Sequence, residues 1–308
     1  MEMLAQQIAN GLILGSVYAL IALGYTMVYG ILGLINFAHG EITMMGAMIA
    51  VAALNIFLHV LHLPPLLALS AAICIAIPCC MLLGVTIERI AYRPLRHAPK
   101  LASLITAIGV SIVLQNVAMM VWGRGYQRFP DIIPAENVSA FGATLTPVKI
   151  AIVLLSACTL LGLWLLVNRT RLGRAMRATA QNPEAAQLMG VAIDKVIAAT
   201  FAIGSALGAL AGIMVAANYG QADPYMGFLL GLKAFSAAVL GGIGNLAGAV
   251  IGGLLLGLIE SLGAGYLGTA THGVFGSNYQ DIFAFMVLVA VLVLRPSGLL
   301  GEHTAERA

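Results

Sequence analysis

The chain has 308 residues, 61% of them hydrophobic and 9% charged, with a formal net charge of +3 and a mean hydropathy of +0.99. Soluble domains carry about a quarter charged residues, so a chain this apolar must be solvated by lipid and by its own helices. That points to one polytopic membrane domain over 1–308, and the small charge carries no nucleic-acid signal.

The first stretch, "MEMLAQQIANG", lacks a basic n-region, and the apolar run beyond it is far longer than the core of a signal peptide, so the first helix is expected to stay in the protein. Apolar runs with few or no charges follow at 8–30, 40–58, 65–87, 101–122, 148–167, 196–217, 228–243, 247–264 and 280–295. A crossing needs about 20 apolar residues, so these runs predict an all-α fold of eight or nine spans, with short or broken helices around the glycine-rich motifs. The pieces at 228–243 and 247–264 are short and glycine-laden. Cys74, Cys79, Cys80 and Cys158 all lie in apolar runs with no metal-type spacing and read as buried packing thiols.

Between the first two runs stands Asn36-Phe37-Ala38-His39-Gly40-Glu41. A metal site would lack ligands, because His39 and Glu41 supply two at most and no other cluster completes four. A proton relay is an alternative, since His and Glu in membranes often serve that way. The flanking Gly33 and Gly40 favour a polar helix break: Asn36 and His39 satisfy freed backbone groups, and Glu41 sits at the positive start of the next helix. Whether 31–47 completes a crossing or re-enters decides the side of the N-terminus.

Orientation follows from Lys and Arg in short loops. Residues 88–100 carry Arg89, Arg93, Arg96 and Lys100, and 168–177 carries four arginines, so both are expected in the cytoplasm. The segment 122–149, with Trp122, Tyr126 and several prolines, suits the outer face. Arg295-Pro296 then ends the last helix inside. Within the cytoplasmic segment 168–195, Asn182 is a good N-cap, Pro183 suits the first helical position, Glu184 complements the dipole and Gly190 can terminate in the left-handed region. A seven-residue cytoplasmic helix is predicted, too short to stand unsupported.

Glu41, Lys233 and Glu260 are ionisable groups at membrane depth, with Asp223 and Asp281 nearer predicted helix ends, and partners are expected for them. Lys233 and Glu260 have their midpoint between Leu246 and Ala247, inside the turn "GGIGNLAG". An antiparallel hairpin would put both at one depth, which predicts a direct ion pair acting as a structural lock. Small-residue spacings at Gly11/Gly15, Gly204/Gly208/Gly212, Gly248/Gly252 and Gly253/Gly257 predict close helix packing. A weak echo relates the stretch around Asn36 to the one around Asn245, as in transporters built from repeats with broken helices. There is no phosphate loop, dinucleotide fingerprint or nucleophile elbow, so no enzymatic activity and no cofactor are expected in this chain.

The stretches "ALGYTMVYGILGLINFAHGE" (22–41), "IERIAYRPLR" (87–96), "TAIGVSIVLQN" (106–116), "RLGRAMRATAQNPEAAQLMGV" (171–191) and "KAFSAAVLGGIGNLAGAVIGG" (233–253) closely resemble the permease subunit, LivH type, of branched-chain amino acid ABC importers. The resemblance runs from about residue 8 to 301 and is least in 123–147. It implies a multi-pass protein of the bacterial inner membrane. Its partners would be a second permease subunit, two cytoplasmic ATPase subunits that use ATP and magnesium, and a periplasmic substrate-binding protein. Glu184, Ala185, Ala186 and Gly190 match half of the EAA-x-x-x-G loop that docks such permeases on their ATPases, while its Ile-x-Leu-Pro continuation is missing. With the cap Asn182 and Pro183, these residues form the expected coupling helix. Asn36, His39, Gly40, Glu41 and Asn245 become candidates for the translocation path. A permease for urea or short amides, an ion-coupled carrier and a passive channel are the rival readings.

Overall fold

The structure is a computed structural model that describes residues 2–96, 98–132, 138–140, 143–270 and 279–301. It is a helical bundle: α1 (Glu2–Leu32), α2 (His39–His59), α3 (Pro65–Ile87), α4 (Lys100–Trp122), α5 (Pro147–Arg169), α6 (Arg171–Gln181), α7 (Pro183–Leu188), α8 (Ile193–Tyr219), α9 (Met226–Gly241), α10 (Leu246–Ala270) and α11 (Gln280–Leu294). Seven helices among the described residues are long and apolar enough to cross a membrane, and α9 and α11 are shorter apolar helices. The predicted all-α polytopic class holds. The piece expected at 247–264 is a full 25-residue helix rather than a short one, because the glycines in it serve packing and do not break it.

Proline sets several starts. Pro65 and Pro147 each occupy the first helical turn, where their missing N–H costs nothing. Beyond α3 the chain widens into a π turn, Glu88–Tyr92, and then tightens into a 3-10 turn, Arg93–Leu95. Two short antiparallel pairings lie in the segments between spans: β1 (Gln127–Arg128) with β4 (Gln221–Ala222), and β2 (Val138–Ala140) with β3 (Ala143–Leu145).

Helices α1 and α8 form the centre. In their most apolar windows 89% and 72% of residues are buried, against 17% in α4, which is peripheral. Contact along α1 and α10 depends on the predicted small-residue faces. A Cβ on Gly15 would lie 2.7 Å from the Leu254 Cα, and one on Gly11 would lie 2.8 Å from the Leu258 Cα. Backbones this close gain dispersion contacts that larger side chains would prevent.

These contacts fix the sides of the bundle. Gln6 accepts a hydrogen bond from the Thr144 amide (2.8 Å), and Lys149 donates to Asn10 (3.2 Å), so the start of α1 lies at the end that holds 122–149. At the opposite end Arg93 and Arg96 both pair with Asp194 on the first turn of α8, and Arg96 also pairs with the buried Glu88. The two arginine-rich segments share that end, which the positive-inside rule makes cytoplasmic. The start of α1 is therefore on the outer side, a point the charge pattern alone leaves open.

The last described residues cap the cytoplasmic hairpin. Leu299 and Leu300 donate their amides to the Leu240 and Gly241 carbonyls, each at 2.9 Å, which satisfies acceptors that the end of α9 would otherwise leave open.

Candidate functional site

The predicted break lies at 33–38. Gly33 takes φ +64, a conformation that glycine adopts without strain, and its amide still donates to the Tyr29 carbonyl (2.7 Å). The chain then reverses and α2 starts at His39. Asn36 is buried and organises the reversal: its Oδ1 accepts from the Ala38 amide (3.1 Å) and from the Tyr92 hydroxyl (2.9 Å).

Helix α2 starts deep in the bundle. His39 fills the space left by Gly24 on α1 and Gly208 on α8. Leu32 lies eight residues beyond Gly24, about 12 Å at 1.5 Å per residue. Gly208 stands 15 residues after Ile193 and 11 before Tyr219. The N-terminus of α2 is thus near mid-depth, so 33–38 carries the chain back inward before α2 proceeds to the outer side.

Nε2 of His39 has no hydrogen-bond partner of good geometry among the described residues, and the backbone group that its imidazole approaches is that of Ile21 on α1. The His39 ring meets Tyr25 edge-on, with centroids 4.9 Å apart. Gly40 is needed for approach rather than for conformation, since a Cβ there would lie 2.8 Å from the Gly231 Cα on α9. Glu41 is 2% exposed. Its Oε1 accepts from the Ser111 hydroxyl on α4 at 3.1 Å, while Oε2 has no partner among the described residues and lies over Gly227 on α9. Ser111 carries no chemistry signal of its own in the sequence and was legible only as a polar residue in an apolar run.

Asn245 has its own surroundings at the cytoplasmic end. Its Oδ1 accepts from the Gly248 amide (3.0 Å), so it caps α10, and its Nδ2 donates to the Leu300 carbonyl (2.9 Å). It matches Asn36 as an asparagine at a helix start, and the two have separate hydrogen-bond partners.

The predicted ion pair is present. Lys233 Nζ and Glu260 Oε1 are 2.7 Å apart, with side-chain exposures of 12% and 2%. Two members were missing from the sequence reading of this pair. Asp281 on α11 also pairs with Lys233, at 2.7 Å, and the Tyr18 hydroxyl donates to Glu260 Oε2 at 2.9 Å. The network therefore joins α1, α9, α10 and α11. Asp281 was visible as a charge near a helix start, but nothing local to it named its partner. Asp223, by contrast, accepts from the Tyr225 amide (2.8 Å) just before α9.

At the cytoplasmic end, α6 and α7 form two legs of one elbow. Thr170 caps α6 by accepting from the Gly173 amide (3.0 Å), and the Arg177 guanidinium donates to the Val167 carbonyl, tying α6 to the end of α5. Asn182 caps α7 by accepting from the Ala185 amide (3.0 Å), Pro183 opens it, Glu184 is in its first turn, and Gly190 leaves at φ +83. The helix has six residues, one fewer than predicted, because Met189 already acts as its C-cap. Ala186 is buried, whereas Leu188 and Met189 are 89% and 85% exposed. An open cavity of about 780 Å³ lies beside α7, lined by residues that include Leu32, Arg96, Glu184 and Asp194.

A family model described as the permease component of branched-chain amino acid transport systems matches residues 7–292. The chain is 45% identical to the high-affinity branched-chain amino acid transport system permease protein BraD of Pseudomonas aeruginosa, over 98% of this chain and 97% of the relative. It is 42% identical to the corresponding LivH protein of Escherichia coli, with the same coverage. The ribose import permease protein RbsC of Escherichia coli is 28% identical over 90% of this chain and 82% of its own length. No solved structure gives a significant match.

Proposed function

The chain belongs to the family of permease components of branched-chain amino acid transport systems, and from that premise we propose that it is the membrane-spanning subunit of an ATP-driven importer of aliphatic amino acids, coupled to cytoplasmic ATPases through α7. The observation that carries the coupling assignment is the exposed pair Leu188 and Met189 at the tip of a short helix capped at both ends. Large apolar side chains presented together to water mark a protein contact. So short a helix keeps its shape only through its caps and its support. Here the support is α6, fastened to α5 by Arg177, while 189–192 lead from α7 itself on to α8. A push on α7 is transmitted to one peripheral and one central membrane helix.

In this reading the second permease subunit, two ATPase subunits that use ATP and magnesium, and a substrate-binding protein on the outer side complete the assembly. Substrate passes along a face built around the α2 start, with Asn36, His39 and Gly40 shaping the buried side of the break and Glu41 nearest the path. Asn245 holds the cytoplasmic hairpin beside its exit. An apolar passage with few dipoles suits a zwitterion with an aliphatic side chain.

The test is co-purification. Leu188→Asp with Met189→Asp is expected to abolish retention of the ATPase subunits while leaving the permease folded in detergent. Undiminished retention would remove α7 from the interface. Uptake of leucine, isoleucine and valine but not urea is expected in the reconstituted assembly, and preferential uptake of urea would transfer the chain to the amide-transport reading.

A further inference from the structure

We infer that the Glu41 carboxylate, in the seam between α4 and α9, is the contact that receives the ammonium group of the amino acid on its way through the membrane. This rests on the importer reading above and adds to it the group that the path recognises.

Three observations converge on the seam. Glu41 is almost fully buried, yet Oε2 has no partner among the described residues. A buried carboxylate oxygen without a partner is costly, and the cost is relieved by a cation or by a donor. The two oxygens face different helices: Oε1 takes the Ser111 hydroxyl of α4, and Oε2 sits over Gly227 of α9, where a Cβ would come within 2.5 Å of it. A side chain at position 227 would therefore collide with the second oxygen, and glycine leaves that room. The third observation is that α4 has the smallest buried share of the seven long apolar helices, and among the described residues its polar contact to Glu41 is the Ser111 hydroxyl, so the carboxylate lies beneath a peripheral helix.

The surroundings match the rest of such a substrate. Ile108 and Ile112, one turn before and one residue after Ser111, are 44% and 54% exposed, and Phe228 beside Gly227 is 62% exposed. These give the rim of the seam an aliphatic and aromatic character that suits a branched side chain. The carboxylate inside the rim discriminates in favour of a positive group and against the corresponding oxo acid, which carries only negative charge.

The experiment uses the assembly reconstituted in proteoliposomes with its ATPase, second permease and binding-protein partners. Glu41→Gln keeps the shape and removes the charge. Leucine uptake is expected to fall tenfold or more, with ATP hydrolysis stimulated by leucine-loaded binding protein remaining within twofold of wild type. A smaller loss of uptake overturns the assignment, and so does a parallel loss of stimulated hydrolysis, which would make Glu41 a positioning group for the coupling movement. Ser111→Cys supplies an arm that does not depend on the Glu41 variant folding. Labelling of that thiol by aminoethyl methanethiosulfonate during turnover is expected to slow at least threefold when the binding protein carries leucine, and equal rates overturn the contact. Absence of ATP-driven leucine uptake by the wild-type assembly would overturn the importer reading itself, and the ammonium site with it.

Discussion

Replacing Lys233 by methionine removes the one cation found, among the described residues, in the network that joins α1, α9, α10 and α11, and leaves Glu260 facing Asp281 across the vacated position. Each carboxylate lies 2.7 Å from Lys233 Nζ, so at an effective dielectric of about 20 the attraction is roughly 6 kcal/mol per pair before desolvation is subtracted. Desolvation offsets much of this, and truncating one side of a buried pair costs about 3–5 kcal/mol in practice. Lys233→Met is expected at the top of that range because it orphans two acids. Glu260→Gln should cost less, about 1–3 kcal/mol, since Lys233 keeps Asp281 and the Tyr18 hydroxyl keeps an acceptor. The double change Lys233→Met with Glu260→Gln leaves Asp281 as the remaining acid of the group, with a side chain 40% exposed, so at least half of the Lys233→Met loss should return. Reversible unfolding in mixed detergent micelles, analysed as a double-mutant cycle, measures all four species. Additive losses, or a Lys233→Met variant no weaker than Glu260→Gln, would refute the shared network.

Other consequences follow from the same geometry. Gly15→Val drives a side chain into the α10 backbone, where no rotamer gives relief, and should cost about 2 kcal/mol or more and lower folded yield. Gly109→Ala, at a position with open space around it, should leave stability unchanged or raise it by about 0.5–1 kcal/mol through helix propensity; equal effects of the two would contradict the packing account. Arg96→Met leaves the buried Glu88 without its cation and should cost about 3–5 kcal/mol in the same unfolding assay. Arg93→Met breaks an ion pair whose two side chains are each about half exposed and should cost under about 1 kcal/mol. Asn182→Ala removes the α7 cap, worth about 1 kcal/mol, and should speed amide hydrogen exchange at Ala185 and Ala186 several-fold without changing the membrane helices.

What the sequence disclosed depended on how local the cause was. Helix α7 was readable because its start and stop are set by Asn182, Pro183 and Gly190, each acting within a few residues. The Lys233–Glu260 pair was readable because one tight turn relates the two positions. Asp281 joins the same lysine from a helix beyond that hairpin, and its place depends on how α11 docks, which no local pattern records. The break at 33–38 announced itself through glycine and asparagine. The mid-depth start of α2 and the outer position of Gln6 follow from contacts with α8 and with 144–149, far away in the chain. The β1–β4 pairing was invisible for a related reason, as two-residue strands in polar segments leave no alternation to read.

The central claim is that this chain carries amino acids inward on energy delivered by ATPases docked at α7. It is tested most directly by uptake of labelled leucine into proteoliposomes containing the purified permease pair, with the binding protein outside the membrane face that holds 122–149. Uptake is expected only when ATPase subunits and Mg-ATP are present on the opposite face, and it should vanish with the Leu188→Asp, Met189→Asp variant. Leucine uptake without the ATPases, or uptake abolished by a protonophore while ATP is maintained, would contradict the account.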